Sequence, residues 1–142
     1  MSGRLTPVVL DTNIASQRYK KRVQLDLTRL VDTTSVISFV TYAEMCKWAL
    51  VRDWAPHNLA QLTAWLDRTP VIDSGKAVST MWGQLAAAGA KRGRPRPEND
   101  TWIAACCLVH DLPLATLNVR DFQDFVDHHG LRFFDLGTTP SA

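Results

Sequence analysis

Cysteine is scarce in this chain: three in 142 residues, at Cys46, Cys106 and Cys107. An odd number, with two adjacent inside an apolar run, excludes a disulfide framework and the usual zinc-ligand spacings. The three are read as buried thiols of a protein in a reducing cytoplasm. Histidine is equally sparse, and His57, His110, His128 and His129 stand apart from the acidic positions discussed below. No uncharged run approaches the ~20 residues needed to cross a bilayer. Met1 to Pro7 lack the apolar stretch of a secretion signal. A cytoplasmic protein without membrane association is therefore expected.

What is present is an ordinary globular composition. Hydrophobic residues make up 46% and charged ones 21%, enough to bury a core and too apolar for disorder. The length suits one domain over residues 1–142. A net charge of +2 identifies no partner, but its distribution is uneven. Lys20, Lys21 and Arg22 form one basic run; Lys91, Arg92, Arg94 and Arg96 form another. Such runs are either a solvated surface or contacts to phosphate, and the second run is a candidate RNA-binding segment.

Five short apolar runs read as strands: Val8 to Leu10, Ser35 to Val40, Val71 and Ile72, Leu114 to Thr116, and Leu131 to Phe134. Helical periodicity separates them: a short stretch from Leu25 to Val31, then Thr41 to Arg52, Leu59 to Leu66, Ala77 to Ala90, Trp102 to Val109 and Val119 to His128. Alternation of this kind predicts an α/β fold with three α/β/α layers and a central parallel sheet of about five strands. In open parallel sheets the carboxyl edge of the strands holds the ligand. The residues just after each strand are therefore the ones to inspect.

Acids recur there. Asp11 ends the first strand, Glu44 is expected in the first turn of the next helix, Asp100 opens the apolar helix after Pro97, and Asp121 follows the fourth strand. Each has a local explanation. Thr41-x-x-Glu44 and Asn118-x-x-Asp121 are capping patterns, and Asp100 suits a positive helix N-terminus. Jointly, carboxylates gathered at one cleft repel each other, which disfavours folding unless a cation sits among them. Oxygen donors without histidine suit Mg²⁺, with Mn²⁺ as a substitute. Thr12, Asn13, Thr116 and Asn118 lie beside the acids, either as turn and cap residues or as groups that orient a carboxylate or phosphate.

Four segments in order complete the reading: Val8-Val9-Leu10-Asp11-Thr12-Asn13; Ser38 to Glu44; Arg94 to Ala105, containing Glu98-Asn99-Asp100; and Leu112 to Phe122, ending Asn118-Val119-Arg120-Asp121-Phe122. With this order and separation the chain resembles PIN-domain ribonucleases, specifically the VapC-type toxins of bacterial toxin–antitoxin pairs. The resemblance implies an acidic catalytic quartet of Asp11, Glu44, Asp100 and Asp121, with Asp11, Asp100 and Asp121 as the metal ligands. It also implies Mg²⁺-dependent cleavage of a structured RNA, such as a transfer RNA or ribosomal RNA loop, leaving 5′-phosphate and 3′-hydroxyl ends. A homodimer and a small antitoxin partner are implied as well, with the helices between residues 41 and 66 as candidate contact surfaces. A glycine common in the family four residues after the glutamate is Trp48 here, which bears on helix packing.

Other readings stay open. A PIN-like module could bind RNA or protein without catalysis, and an intact nuclease could process RNA rather than act as a toxin. A phosphoacceptor receiver-like domain with Asp73 as acceptor would need a second acid near the first strand and a lysine after the fifth. The chain has neither. A haloacid-dehalogenase-type phosphatase would need an aspartate where Asn13 stands.

Overall fold

The computed structural model describes residues 5–20 and 27–137. Four strands form one sheet in the order β3-β2-β1-β4: β1 Thr6–Leu10, β2 Thr33–Ser38, β3 Val71–Ile72 and β4 Leu114–Ala115. Every pairing is parallel, with Val8 opposite Ser35, Ile37 opposite Val71, and Leu10 opposite Ala115. The expected fifth strand is reduced to one parallel bridge, between Phe133 and Leu114. Its ladder stops after two backbone bonds, Leu114 N–H to the Arg132 carbonyl and Phe134 N–H to the Leu114 carbonyl. Asp135 then accepts the Gly137 N–H in a turn, which ends the extended run.

Among the described residues, six helices surround the sheet: α1 Thr12–Lys20, α2 Phe39–Val51, α3 Pro56–Asp67, α4 Lys76–Lys91, α5 Glu98–His110 and α6 Val119–His129. Strand side chains alternate between two cores, as the period of two demands. Val9, Val36 and Leu114 face a cluster with Val78 and Leu85 of α4, Ile103 of α5, and Phe122 and Phe125 of α6. Val8, Leu10, Ile37 and Ala115 face the other way, onto Ile14 of α1, Met45 and Ala49 of α2, and Leu62 and Leu66 of α3. The result is the expected three-layer arrangement. Among the described residues no helix is long and apolar enough to cross a membrane.

Local chemistry sets two boundaries that periodicity misplaced. Phe39 and Val40 look like strand residues but belong to α2, because the Ser38 hydroxyl accepts the Thr41 N–H and caps the helix there. This moves Glu44 from the first turn to the second. The helix α1 was not anticipated. Asp11 starts it: its carboxylate accepts the Thr12 N–H and its carbonyl accepts the Ala15 N–H. Of the stretch expected to be helical from Leu25, the described part is a 3₁₀ turn over Leu27–Leu30, and Val31 is exposed.

The loop between α4 and α5 is tied down at both ends. Arg94 donates its N–H to the carbonyl of Gly89, and a Cβ at position 89 would lie 3.1 Å from the Arg94 carbonyl oxygen. A side chain there would push the loop back by a few tenths of an ångström. Arg92 reaches across to Asp124 of α6 at 3.1 Å. Burial pushes the Asp124 carboxyl up, but the hydrogen bond and charge of Arg92 outweigh it and hold the group below the usual range. Cys106 and Cys107 are buried, as expected, whereas Cys46 is half-buried. Burial pushes the Cys106 thiol up to about 12, leaving it inert.

Candidate active site

Every acid singled out in the sequence comes from the same sheet edge. Asp11 follows β1, Glu44 projects from α2, Asp100 is the third residue of α5, and Asp121 the third of α6. One cleft of about 270 Å³ is lined by Asp11, Thr12, Asn13, Glu44, Asn99, Asp100, Ile103 and Asn118. Asp121 is exposed and is not on this wall, yet its charge acts on both Asp11 and Asp100. Thr116 lies behind the cleft, against Asp11. Asn99 was quoted in the sequence motif without a role; its place beside Asp100 at the helix start is the signal that could have assigned it.

Asp11 is the most constrained of the set. It is 6% exposed. One carboxylate oxygen accepts the Thr12 N–H at 2.8 Å and the other accepts the Thr116 hydroxyl at 2.8 Å. The Thr116 hydroxyl oxygen in turn accepts the Asn118 N–H at 3.0 Å, which fixes the turn into α6. Burial pushes the Asp11 carboxyl above its ordinary value, the Thr116 and Thr12 bonds pull it back, and the charge of Asp121 adds to the rise.

Glu44 is held differently. Capping its own helix is not its role, because Ser38 does that. The Thr12 hydroxyl donates to the Glu44 carboxylate at 3.1 Å, and Thr12 lies 3.0 Å from the hydroxyl of Thr41. Asn118 likewise makes no side-chain cap on α6. Both capping patterns in the sequence thus dissolve, and the carboxylates of Glu44 and Asp121 are released from that local duty.

Asp100 carries the clearest electrostatic signature. Burial, then the charges of Asp11, Asp121 and Glu44, raise its carboxyl to about 6, and Arg96 opposes the rise. The second basic run therefore divides. Arg96 acts on the acidic cleft, Arg92 is engaged by Asp124, and Lys91 and Arg94 are exposed. Of the first run, Lys21 and Arg22 lie outside the described residues.

Asp100 binds a proton in the folded chain between about pH 4 and pH 6, where the unfolded chain has released it. The folded state then holds more protons, so stability should fall as pH rises through this window. The group is half-exposed, and solvent screening leaves about 1 kcal/mol of the effect. Denaturant titrations of metal-free protein at pH 4.5 and pH 7 should show this loss, and Asp100→Asn should reduce it, leaving the part that the raised Asp11 carboxyl contributes. An unaltered pH dependence in that variant would mean that the repulsion is absent.

The donor chemistry fits a hard divalent cation: three carboxylates on the cleft wall with Asp121 acting from outside it, neutral oxygens nearby, and no histidine or thiol on the wall. Among the described residues, no three Asp, Glu, His or Cys side chains close into a ready-made metal cage. Mg²⁺ does not need one, since it keeps several waters and takes one or two carboxylates.

A buried aspartate thus follows the first strand of a parallel sheet, with three further acids on three different helices beside it. The PIN-domain family profile matches residues 8–127. Ribonuclease VapC1 of Haemophilus influenzae strain R2866 is 32% identical over 123 residues, covering 84% of this chain and 92% of that protein. A tRNA(fMet)-specific endonuclease VapC of Shigella flexneri is 32% identical over 117 residues, covering 81% and 89%. The solved VapBC-1 structure from nontypeable Haemophilus influenzae superposes with a TM-score of 0.77 at 30% identity, over 94% of this chain and 100% of that one. The chain belongs to the PIN-domain family and, within it, to the VapC ribonucleases.

Proposed function

We propose that this protein is a Mg²⁺-dependent endoribonuclease, the toxin of a toxin–antitoxin pair, and that it cuts a structured RNA such as a transfer RNA or ribosomal RNA loop. The observation that carries this reading is the convergence of Asp11, Glu44 and Asp100 on one cleft, with Asp121 close enough to act on two of them: an arrangement that costs stability unless a cation relieves it. Asp11, Asp100 and Asp121 are the proposed ligands, with Glu44 close by. When bound, the ion would polarise the scissile phosphate and acidify a water.

The chain's own residues supply the rest. Thr116 and the Thr12 N–H aim both oxygens of Asp11. Thr12 aims Glu44. The proton of the attacking water goes to a carboxylate of the set, which titrates as a group rather than residue by residue. The products are a 5′-phosphate and a 3′-hydroxyl. The transfer-RNA specificity in the name of the Shigella relative supports that substrate class. The VapBC complexes among the structural neighbours support an antitoxin partner, which in this reading is small and covers the acidic cleft. Exposed Tyr42, Leu50 and Val51 on α2 are apolar surface available for that contact or for a homodimer.

The test is to incubate the protein with total cellular RNA, in Mg²⁺ and in EDTA, and sequence the new 5′ ends. Discrete cuts that need Mg²⁺ and vanish in Asp100→Ala are expected. Cuts that persist in that variant, or no new ends from wild type in any metal, would overturn the reading and favour a binding module without catalysis.

A further inference from the structure

The wall formed by Thr12, Asn13 and Glu44 is shared. Its other side bounds a second depression, of about 340 Å³, which runs on to Lys20, Trp48 and Arg52. A third, of about 530 Å³, also bounded by Glu44 and Asn99, adds Lys47 to the same side. Along this path the charge changes sign, from carboxylates to cations. A phosphodiester strand crossing the acidic cleft is repelled by its carboxylates, so much of its affinity must come from cations farther along the groove.

Trp48 is the aromatic surface there. Trp82 and Trp102 stack on each other at 5.0 Å and join the core, as apolar helix faces predict. Trp48 is equally half-buried but joins neither core cluster, and is braced edge-on by Trp54 at 4.5 Å between centroids. Lys20 Nζ lies 4.1 Å from its ring centroid and the Arg52 guanidinium carbon 5.3 Å. An arriving base can take the place of the exposed Arg52 guanidinium on the ring while that guanidinium turns to the phosphate beside it. A π-face flanked by cations is how single strands are held without regard to sequence.

We propose that Trp48, Lys20 and Arg52 form a nucleotide subsite that grips single-stranded RNA on one side of the scissile phosphate. The proposal rests on the ribonuclease reading above.

The test uses the full chain and a fluorescein-labelled single-stranded RNA of about twelve nucleotides, followed by anisotropy in EDTA. Trp48→Ala should raise Kd about tenfold, as expected for one lost base stack, and Trp48→Phe should recover most of it. Arg52→Gln, at an exposed position, should lower the salt dependence of binding by about one counterion. In Mg²⁺, on an RNA the wild type cuts, Trp48→Ala should raise KM more than it lowers kcat. Thermal melts separate these effects from loss of fold. Wild-type affinity in both Trp48→Ala and Arg52→Gln overturns the subsite, as does wild-type protein that binds no RNA. Variants that bind RNA normally but lose a protein partner assign the ledge to that partner and overturn it equally. RNA binding through Trp48 without any cleavage would leave the subsite standing and remove the ribonuclease reading, whereas cleavage with an unmoved KM would do the reverse.

Discussion

Replacing Asp11 with asparagine should reduce Mg²⁺-dependent RNA cleavage by roughly 10³-fold or more, the scale seen when a charged group is removed from an electrostatic active centre. The melting temperature should stay within a few degrees of wild type. The two expectations separate charge from fold. Asparagine keeps the volume of the buried side chain and an oxygen to accept the Thr12 N–H. Its amide then meets the Thr116 hydroxyl, which can rotate from donating to accepting. Burial makes the ionised Asp11 costly, so removing its charge offsets any weakening of those bonds. Single-turnover cleavage and a thermal melt on the same preparation provide the check. Activity within tenfold of wild type would mean that Asp11 is a helix cap and nothing more.

Phe122→Ala is expected to have the largest effect on stability, a loss of about 3–5 kcal/mol. For a chain of this size that lowers Tm by roughly 10–15 °C. Phe122 is 1% exposed and lies in the core cluster with Phe125, Leu114 and Ile103. It follows Asp121 directly, so it anchors the first turn of α6 and with it the exposed acid. Phe122→Leu, which keeps most of the volume, should lose less than half as much. Urea denaturation measures both. A loss below about 1 kcal/mol for the alanine variant would show that α6 is held by other contacts, such as the Arg92–Asp124 pair.

Much of this architecture was legible in the sequence, because its strongest signals are periodic. The helices α2 to α6 follow apolar spacing, and the strands β1 to β4 follow short β-branched and aliphatic runs closed by polar residues. Asp11, Glu44 and Asp121 were found by their position after those strands, and Asp100 by its place at the start of an apolar helix after Pro97. What escaped was decided by single hydrogen bonds or by distance along the chain. The helix α1 has only Ile14, Ala15 and Tyr19 as core-facing residues, and its cap is a residue that also serves the cleft. The start of α2 depends on one hydroxyl, Ser38, which overrode the strand propensity of Phe39 and Val40. The Leu131–Phe134 run had strand composition but one parallel neighbour and no room to lengthen. Arg92 belonged to an apparent RNA-binding run, and its pairing with Asp124 across 32 positions has no local signature. Trp48 shared its helical spacing with core residues, and only the tertiary arrangement sets it at a groove.

The helix starts at the carboxyl edge of the sheet carry a further consequence. Asp11 caps α1, Asp100 and Asp121 stand in the first turns of α5 and α6, and Glu44 lies one turn into α2. Each helix start presents roughly half a positive charge. Four such starts amount to roughly +2 against four carboxylates, leaving an excess of about two negative charges. That excess equals the charge of a single divalent ion. A divalent ion of the kind proposed would offset it, so the helix starts lower the charge that such an ion has to balance.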